Sequence, residues 1–519
     1  MTSQPLSQRV GAAVRSRPPV VTTLLAVVVA LAALIPLAYV LQSAYDAGWS
    51  TAEQLIFRPR IGELFANTAK LIGLAVPLSV LLGVGAALVV ERTDLPGRSL
   101  LALLFAAPLA VPAFVASYAW ATVWPSIGGL SGAVLISVAA YFPFVYIPVM
   151  ATLRRLDPAV EESARALGLG PAAVLWRVVL PQLRLPILGG ALLVAMHLLA
   201  EYGAFASIRF DTFTTAIYDQ FQSTFASAAA SMMAGVLVLC CLLLLIGEAG
   251  VRGRQRYARL GPGVARRGRP ARLGWWSLPV WVGVLVVLAT TLGVPGWSIT
   301  RWLISGGNAV WTSDLVSTLL TTTVYGVIAG VVTVAAALPI AWLAVRHPGR
   351  WVRALEGSTF VAASIPGIVV GLAFVSYAIR YAQPLYQTAP LLVAAYAVLF
   401  LPRAVVTLRA GIAQAPPSLE EAARSLGASA PAAFVRVALR LIAPTVGASI
   451  ALSFLGIAGE LTATLLLAPT GTRTLATEFW ALSGEIDYAG AAPYALLLVV
   501  LSLPMTYLLF RQSRKVAGL

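Results

Sequence analysis

Glu161-Glu162-Ser163-Ala164-Arg165-Ala166-Leu167-Gly168 returns 259 residues later as Glu420-Glu421-Ala422-Ala423-Arg424-Ser425-Leu426-Gly427. The same offset joins Arg177 to Arg436 and Glu201 to Glu460, so the chain repeats itself. Each stretch is a polar island between long apolar runs. Asp157 is placed to cap a helix in the first island, with Pro158 in its first turn, where a missing amide hydrogen costs nothing. In the second island Ser418-Leu419-Glu420-Glu421 has capping-box spacing. Gly168 and Gly427 permit a positive φ that ends each helix before another begins near Pro171 and Pro431. Two short helices with a glycine break, held between membrane spans, make a docking knob without a catalytic set.

The surroundings of the islands fix the class. The chain has 519 residues, 59% of them hydrophobic and 11% charged, with mean hydropathy +0.87. That is more apolar surface than a soluble core encloses. Lipid offers the backbone no hydrogen bonds, and the apolar runs are continuous rather than alternating, so the spans are helices and not barrel strands. A span needs about 20 residues. Runs of that length are expected at about 20–43, 64–90, 100–122, 131–153, 187–206 and 228–250, then 275–298, 315–345, 355–379, 390–408, 445–467 and 491–511. The fold class is therefore all-α polytopic, about twelve transmembrane helices as two parallel six-helix repeats. Residues 1–251 form the first half with an island loop at about 154–186. Residues 252–273 form a basic linker, and 274–519 the second half with its island loop at about 409–444.

The net charge of +16 is informative through its placement. With the N-terminus inside, Arg92, Arg98, Arg154, Arg155, Arg165, Arg177, Arg184 and the run from Arg252 to Arg272 fall on the inner side. So do Arg346, Arg350, Arg353, Arg403, Arg409, Arg424, Arg436, Arg440 and the Arg511–Lys515 tail, whereas the outside keeps only Arg58, Arg60, Arg209, Arg301, Arg380 and Arg473. The asymmetry predicts both termini and both islands in the cytoplasm. No basic stretch is interleaved with exposed aromatics, so nucleic acid is not an expected partner; the linker charge marks a loop near anionic membrane lipid. Arg9, Arg15 and Arg17 precede an apolar run too long for a signal peptide, which reads as a retained first span. Asn67-Thr68 and Thr321-Thr322 occupy similar places in the second and eighth spans, and the prolines at 108, 112 and 366 are read as local kinks.

Titratable groups inside spans are few. Glu201 and Glu460 each lie some 15 residues into a span that starts at an island, about 22 Å toward the outside. A carboxylate at that depth faces a partner or a cavity. The first alternative makes them inter-helix contacts; the second makes them an acidic lining, one from each half, suited to a cationic solute. Tyr202 beside Glu201, and Asp211 in the following outer segment, complete the candidate pathway set. His197, four residues before Glu201, reads as polar packing, and His347 as a helix-end residue. Cys240 and Cys241 read as helix packing rather than a disulfide or metal site. The two lysines, Lys70 and Lys515, follow Ala69 and Arg514, so the Gly-Lys-Ser/Thr loop that cradles phosphate is absent.

The islands resemble the EAA signature of permease subunits of ATP-binding-cassette importers, a MetI-like family: Glu-Ala-Ala, three residues, Gly, nine residues, Ile-x-Leu-Pro. The first copy supplies Glu162-Ser163-Ala164, Gly168 and Val178-Val179-Leu180-Pro181. The second supplies Glu421-Ala422-Ala423, Gly427 and Val437-Ala438-Leu439-Arg440. Arg440 in place of the final proline departs from the pattern and implies a different exit angle for the second knob. The resemblance implies that Glu161, Glu162, Ala164, Arg165 and Gly168, with Glu420, Glu421, Ala423, Arg424 and Gly427, couple to two cytoplasmic ATPase subunits. Those subunits would hold ATP and magnesium, so this chain binds no cofactor of its own and is not an enzyme. An extracytoplasmic binding protein would deliver the solute to a bacterial inner-membrane pathway. Fused halves are similar to ferric-iron, thiamine and aminophosphonate permeases, and Leu199-Ala200-Glu201-Tyr202-Gly203-Ala204 with Gly459-Glu460-Leu461-Thr462-Ala463-Thr464 looks most like the ferric-iron type. A gradient-driven carrier would share the parallel repeats, but it has no need for glycine-broken knobs.

Overall fold

The computed structural model describes residues 18–48, 50, 53–54, 57–224, 227–252 and 271–516. Most of the expected linker and the arginines at 9, 15 and 17 lie outside the described residues. Among those described, the chain is helical throughout. Eight helices are long and apolar enough to cross a membrane, and four bent helix pairs raise the number to twelve. Each expected span has a counterpart.

The prolines do more than kink. Arg98–Ala110 and Ala113–Val123 meet at 92°, and Arg350–Ala363 and Gly367–Tyr381 at 103°. Pro112 and Pro366 are the N-caps of the second member of each pair, both with extended backbone. Proline lacks an amide hydrogen and drives the residue before it out of the helical region, and Val111 accordingly has φ −97°, ψ 110°. Two extended residues in succession turn the chain through about a right angle instead of tilting it.

The halves are interlocked. Val20–Ala33 packs on Ser313–Arg346 and Arg350–Ala363 of the second half, and Ile35–Ala47 on Gly367–Tyr381. Tyr39 ties the exchange: its hydroxyl lies 2.6 Å from Ser231 Oγ and accepts from Ser376 Oγ at 3.1 Å. In return Val294–Gly306 packs on Ala113–Val123 of the first half, where Thr122 Oγ1 and Ser298 Oγ are 2.7 Å apart. A bridge between Thr93 and Ala271 joins the inner end of the second span to the end of the linker. It brings together two points separated by four spans, as the parallel repeat requires.

Other helices cross where glycine permits it. A Cβ on Gly190 would fall 2.6 Å from Val145 Cα, and one on Gly83 2.8 Å from Val145 Cβ, so three spans meet at one valine. Gly189 has open space around it. Overpacking such a crossing costs about 1–3 kcal/mol. Gly190→Leu is therefore expected to lower the melting temperature of the detergent-solubilised protein in scanning fluorimetry, while Gly189→Leu leaves it unchanged.

Candidate functional site

The first island folds as Pro158–Ala166, and Asp157 Oδ1 accepts from the Ala159 amide at 3.0 Å, as its sequence implies. The second folds as Pro417–Ser425, but no side chain caps it. The expected capping box is not formed: Pro416 is the N-cap, which moves the start ahead of Ser418 and leaves that residue inside the first turn. Gly168 and Gly427 have φ of +88° and +89°, with nothing within 4 Å of a Cβ at either. Glycine is needed at these positions for conformation, not for space. A π-helical turn follows in both copies, Leu175–Val179 and Phe434–Ala438, at the repeat offset. The exits then differ. Pro171–Gln182 bends by 65° into Arg184–Ala200, whereas Phe434–Ala458 runs on unbroken, Arg440 standing where Pro181 does in the first copy.

Each island is fastened to the second span of its own half. Arg92, the last residue of Pro59–Arg92, places Nη2 2.7 Å from Glu161 Oε1; Arg346, the last residue of Ser313–Arg346, places Nη2 2.8 Å from Glu420 Oε1. Arg346 also donates to the Ala415 carbonyl at 3.0 Å. Glu161 is buried, with Arg165 at 3.8 Å from its other oxygen. These two acids hold the knobs in place, while Glu162, Arg165, Glu421 and Arg424 are exposed, Ala164 is buried and Ala423 half-buried. Sequence reasoning missed Arg92 and Arg346 as partners; the readable signal was a last-turn arginine on equivalent spans. It also missed the exposed apolar tips, Leu167 at 86% and Leu426 at 89%, with Trp176 and Val435 equally matched across the repeat. Leu167 and Leu426, this exposed at helix ends outside the spans, are uncovered contact surface.

The four helix breaks converge on one cavity. About 360 Å³ in volume, it is lined by Pro112–Phe114, Glu201–Gly203, Ser364–Gly367 and Gly459–Thr462, together with His197 and Arg403. Both expected glutamates are therefore in it, one from each half. Each also caps the short helix that follows: Glu201 Oε1 accepts from Ala204 N at 2.9 Å, and Glu460 Oε1 from Ala463 N at 3.1 Å. Each glutamate thus makes a local backbone contact and also borders the cavity. Tyr141 donates to the second oxygen of Glu201 at 2.5 Å, a partner that sequence reading did not identify. Tyr202 lines the cavity and packs its ring on Tyr218 and, across the halves, on Trp480. His197 lies on Phe144, ring centres 4.3 Å apart, in the packing role expected of it. A larger groove of about 990 Å³ is lined by apolar residues with no titratable group, so it offers no ion pathway.

Asp211 lies away from the cavity. It is paired with Arg60 at 2.8 Å, and its carbonyl accepts from Asn67 Nδ2 at 3.2 Å. The charge of Asp211 is thus neutralised by Arg60. Asp219 lies in Phe213–Thr224 of the same outer segment, where burial and the charge of Asp211 raise its carboxyl above the ordinary range. In the second half Thr322 Oγ1 accepts from Leu475 N at 2.8 Å, so the polar pair on each second span holds the outer segment of its half. Among the described residues no group of three or more metal-ligating side chains is assembled.

Eight to twelve helical spans among the described residues, two equivalent knobs and an interior polar cavity shared between halves define a polytopic transport subunit. The chain belongs to the family of binding-protein-dependent transport system inner membrane components, whose model matches residues 75–256 and again 334–518. It is 33% identical over 503 residues to the Fe(3+)-transport system permease protein FbpB 2 of Haemophilus influenzae, covering 96% of this chain and 99% of that one. A ferric transport system permease protein FbpB of Actinobacillus pleuropneumoniae is 24% identical over 395 residues, 72% of this chain and 57% of its own. The sulfate transport system permease protein CysW of Synechococcus elongatus is 27% identical over 251 residues, 44% of this chain and 87% of its own, which corresponds to about one half of the repeat.

The ion pairs yield the first test of the knobs. Breaking a charge-assisted contact and leaving a buried carboxylate costs about 1–3 kcal/mol. Arg92→Gln should increase hydrogen exchange across Pro158–Ala166, and Arg92→Gln with Glu161→Gln should recover part of the protection, as read by mass spectrometry.

Proposed function

We propose that this chain is the whole membrane pathway of an ATP-driven importer that receives ferric iron from an extracytoplasmic binding protein. The observation that carries the importer reading is the matched pair of knobs. Each is a glycine-terminated helix with an exposed leucine tip, fastened by an ion pair to a long span of its own half. Such a knob can pass a push from outside the membrane into a rigid helix. The tips Leu167 and Leu426 fit apolar clefts on two cytoplasmic ATPase subunits, which supply nucleotide and magnesium; both termini then lie on the cytoplasmic side, in line with the arginine distribution.

Iron as cargo is supported by the near full-length similarity to a protein named for Fe(3+) transport and by Glu201 and Glu460 in the shared cavity. Two carboxylates at membrane depth attract a cation and repel sulfate, the cargo named for the half-length relatives. Thiamine, also cationic, is the alternative that the same cavity charge admits.

Two experiments test the reading. Leu167→Asp with Leu426→Asp should abolish co-purification of the ATPase subunits while the permease keeps its melting temperature; retained ATPase in that variant would remove the docking role. Glutamine can still cap a helix but carries no charge. Glu201→Gln with Glu460→Gln should therefore assemble normally yet lower ATP-dependent ferric uptake into proteoliposomes by at least about tenfold, the equivalent of about 1.4 kcal/mol.

A further inference from the structure

The repeat makes the cavity a comparison of each residue with its own counterpart. At the offset of 259, Tyr141 corresponds to Phe400, Phe144 to Arg403, His197 to Gly456 and Glu201 to Glu460; Pro143 and Pro402 keep the register between them. The first half satisfies its glutamate with the Tyr141 hydroxyl and covers Phe144 with His197. In the second half Phe400 has no hydroxyl to offer Glu460. No side chain fits at Gly456, because a Cβ there would fall 2.4 Å from the Phe400 ring. A guanidinium stands instead where the first half has Phe144.

Arg403, which the arginine distribution assigned to the inner side, instead lines the cavity from the middle of Ala389–Gln414, with its guanidinium carbon 5.6 Å from the centre of the Phe400 ring. Among the described residues no carboxylate is in ion-pair contact with it. It faces the same cavity as Glu460 and Glu201. A fixed cation is costly at membrane depth and is retained there by the charges around it. Without it the cavity would hold two carboxylates and no permanent positive charge.

We infer that Arg403 is the resident cation of the acidic cavity: it balances Glu460 between transport events and so keeps small monovalent cations from occupying the pathway. A multiply charged cargo overcomes one opposing charge where a monovalent ion does not, because its attraction to the two carboxylates grows with its own charge. Arg403 is thus a selectivity residue, present in one half only. The inference rests on the cationic-cargo reading, but its test uses neither iron, ATP nor binding protein.

Equilibrium dialysis of the full-length protein in detergent against radiolabelled thallium(I) measures the occupancy directly. Arg403→Gln is expected to bind thallium about tenfold more tightly than the wild-type chain. Arg403→Lys, which keeps the charge, is expected to match the wild type, and Arg403→Gln with Glu460→Gln to lose the gain. Should the glutamine variant fail to elute as a single species, Arg403→Met keeps the apolar stem over Phe400 and carries the same readout. Unchanged binding in the charge-free variants, or equal gains for glutamine and lysine, would overturn the inference. Failure of the wild type to import ferric ion would instead count against the cargo assignment and leave this result standing.

Discussion

A helix broken inside a membrane exposes amide hydrogens where water cannot answer them, and that constraint governs the centre of this protein. Four spans break at one level. Two do so at prolines, which have no amide hydrogen to leave unpaired. The other two break beside a glutamate whose carboxylate accepts from the amide three residues on, Glu201 to Ala204 and Glu460 to Ala463. The same carboxylates that make the breaks tolerable also charge the cavity between them. Helix capping and cavity lining therefore rest on the same side chains, and removing the acceptor is a different perturbation from removing the charge.

The knobs obey a second requirement, mechanical connection. A knob that only touched lipid and solvent would move without moving anything else. Arg92 and Arg346 join each knob to the end of a 34-residue helix of its own half. Those ion pairs are short and largely shielded from solvent, the setting in which salt screens them least. The exits are unequal, bent at Gln182 and straight through Arg440. A push of equal size on the two knobs therefore enters helices of different shape.

Interlocking spreads that motion. The first span of each half lies on the opposite half, so neither six-helix unit can rotate without carrying a helix attached to its neighbour. Tyr39 links the N-terminal span to Ser231 and Ser376 together, and Tyr118 reaches across to the Tyr488 carbonyl at 2.7 Å. Glycine at the crossings keeps the helices at distances where dispersion and shape hold them, since lipid supplies no hydrophobic drive between spans.

Sequence alone was enough for the helical spans, the tandem repeat and the glycine-broken knobs, because each is written locally as apolar length, residue type or offset. Tertiary structure decided which side chains meet. That Asp211 is neutralised by Arg60, that Tyr141 serves Glu201, that arginines 92 and 346 hold the knobs and that Arg403 shares a cavity with Glu460 all depend on pairs 57 to 151 residues apart. The capping box at Ser418 failed for a related reason: a motif states what a side chain can reach, whereas the backbone entering at Pro416 decides where the helix begins.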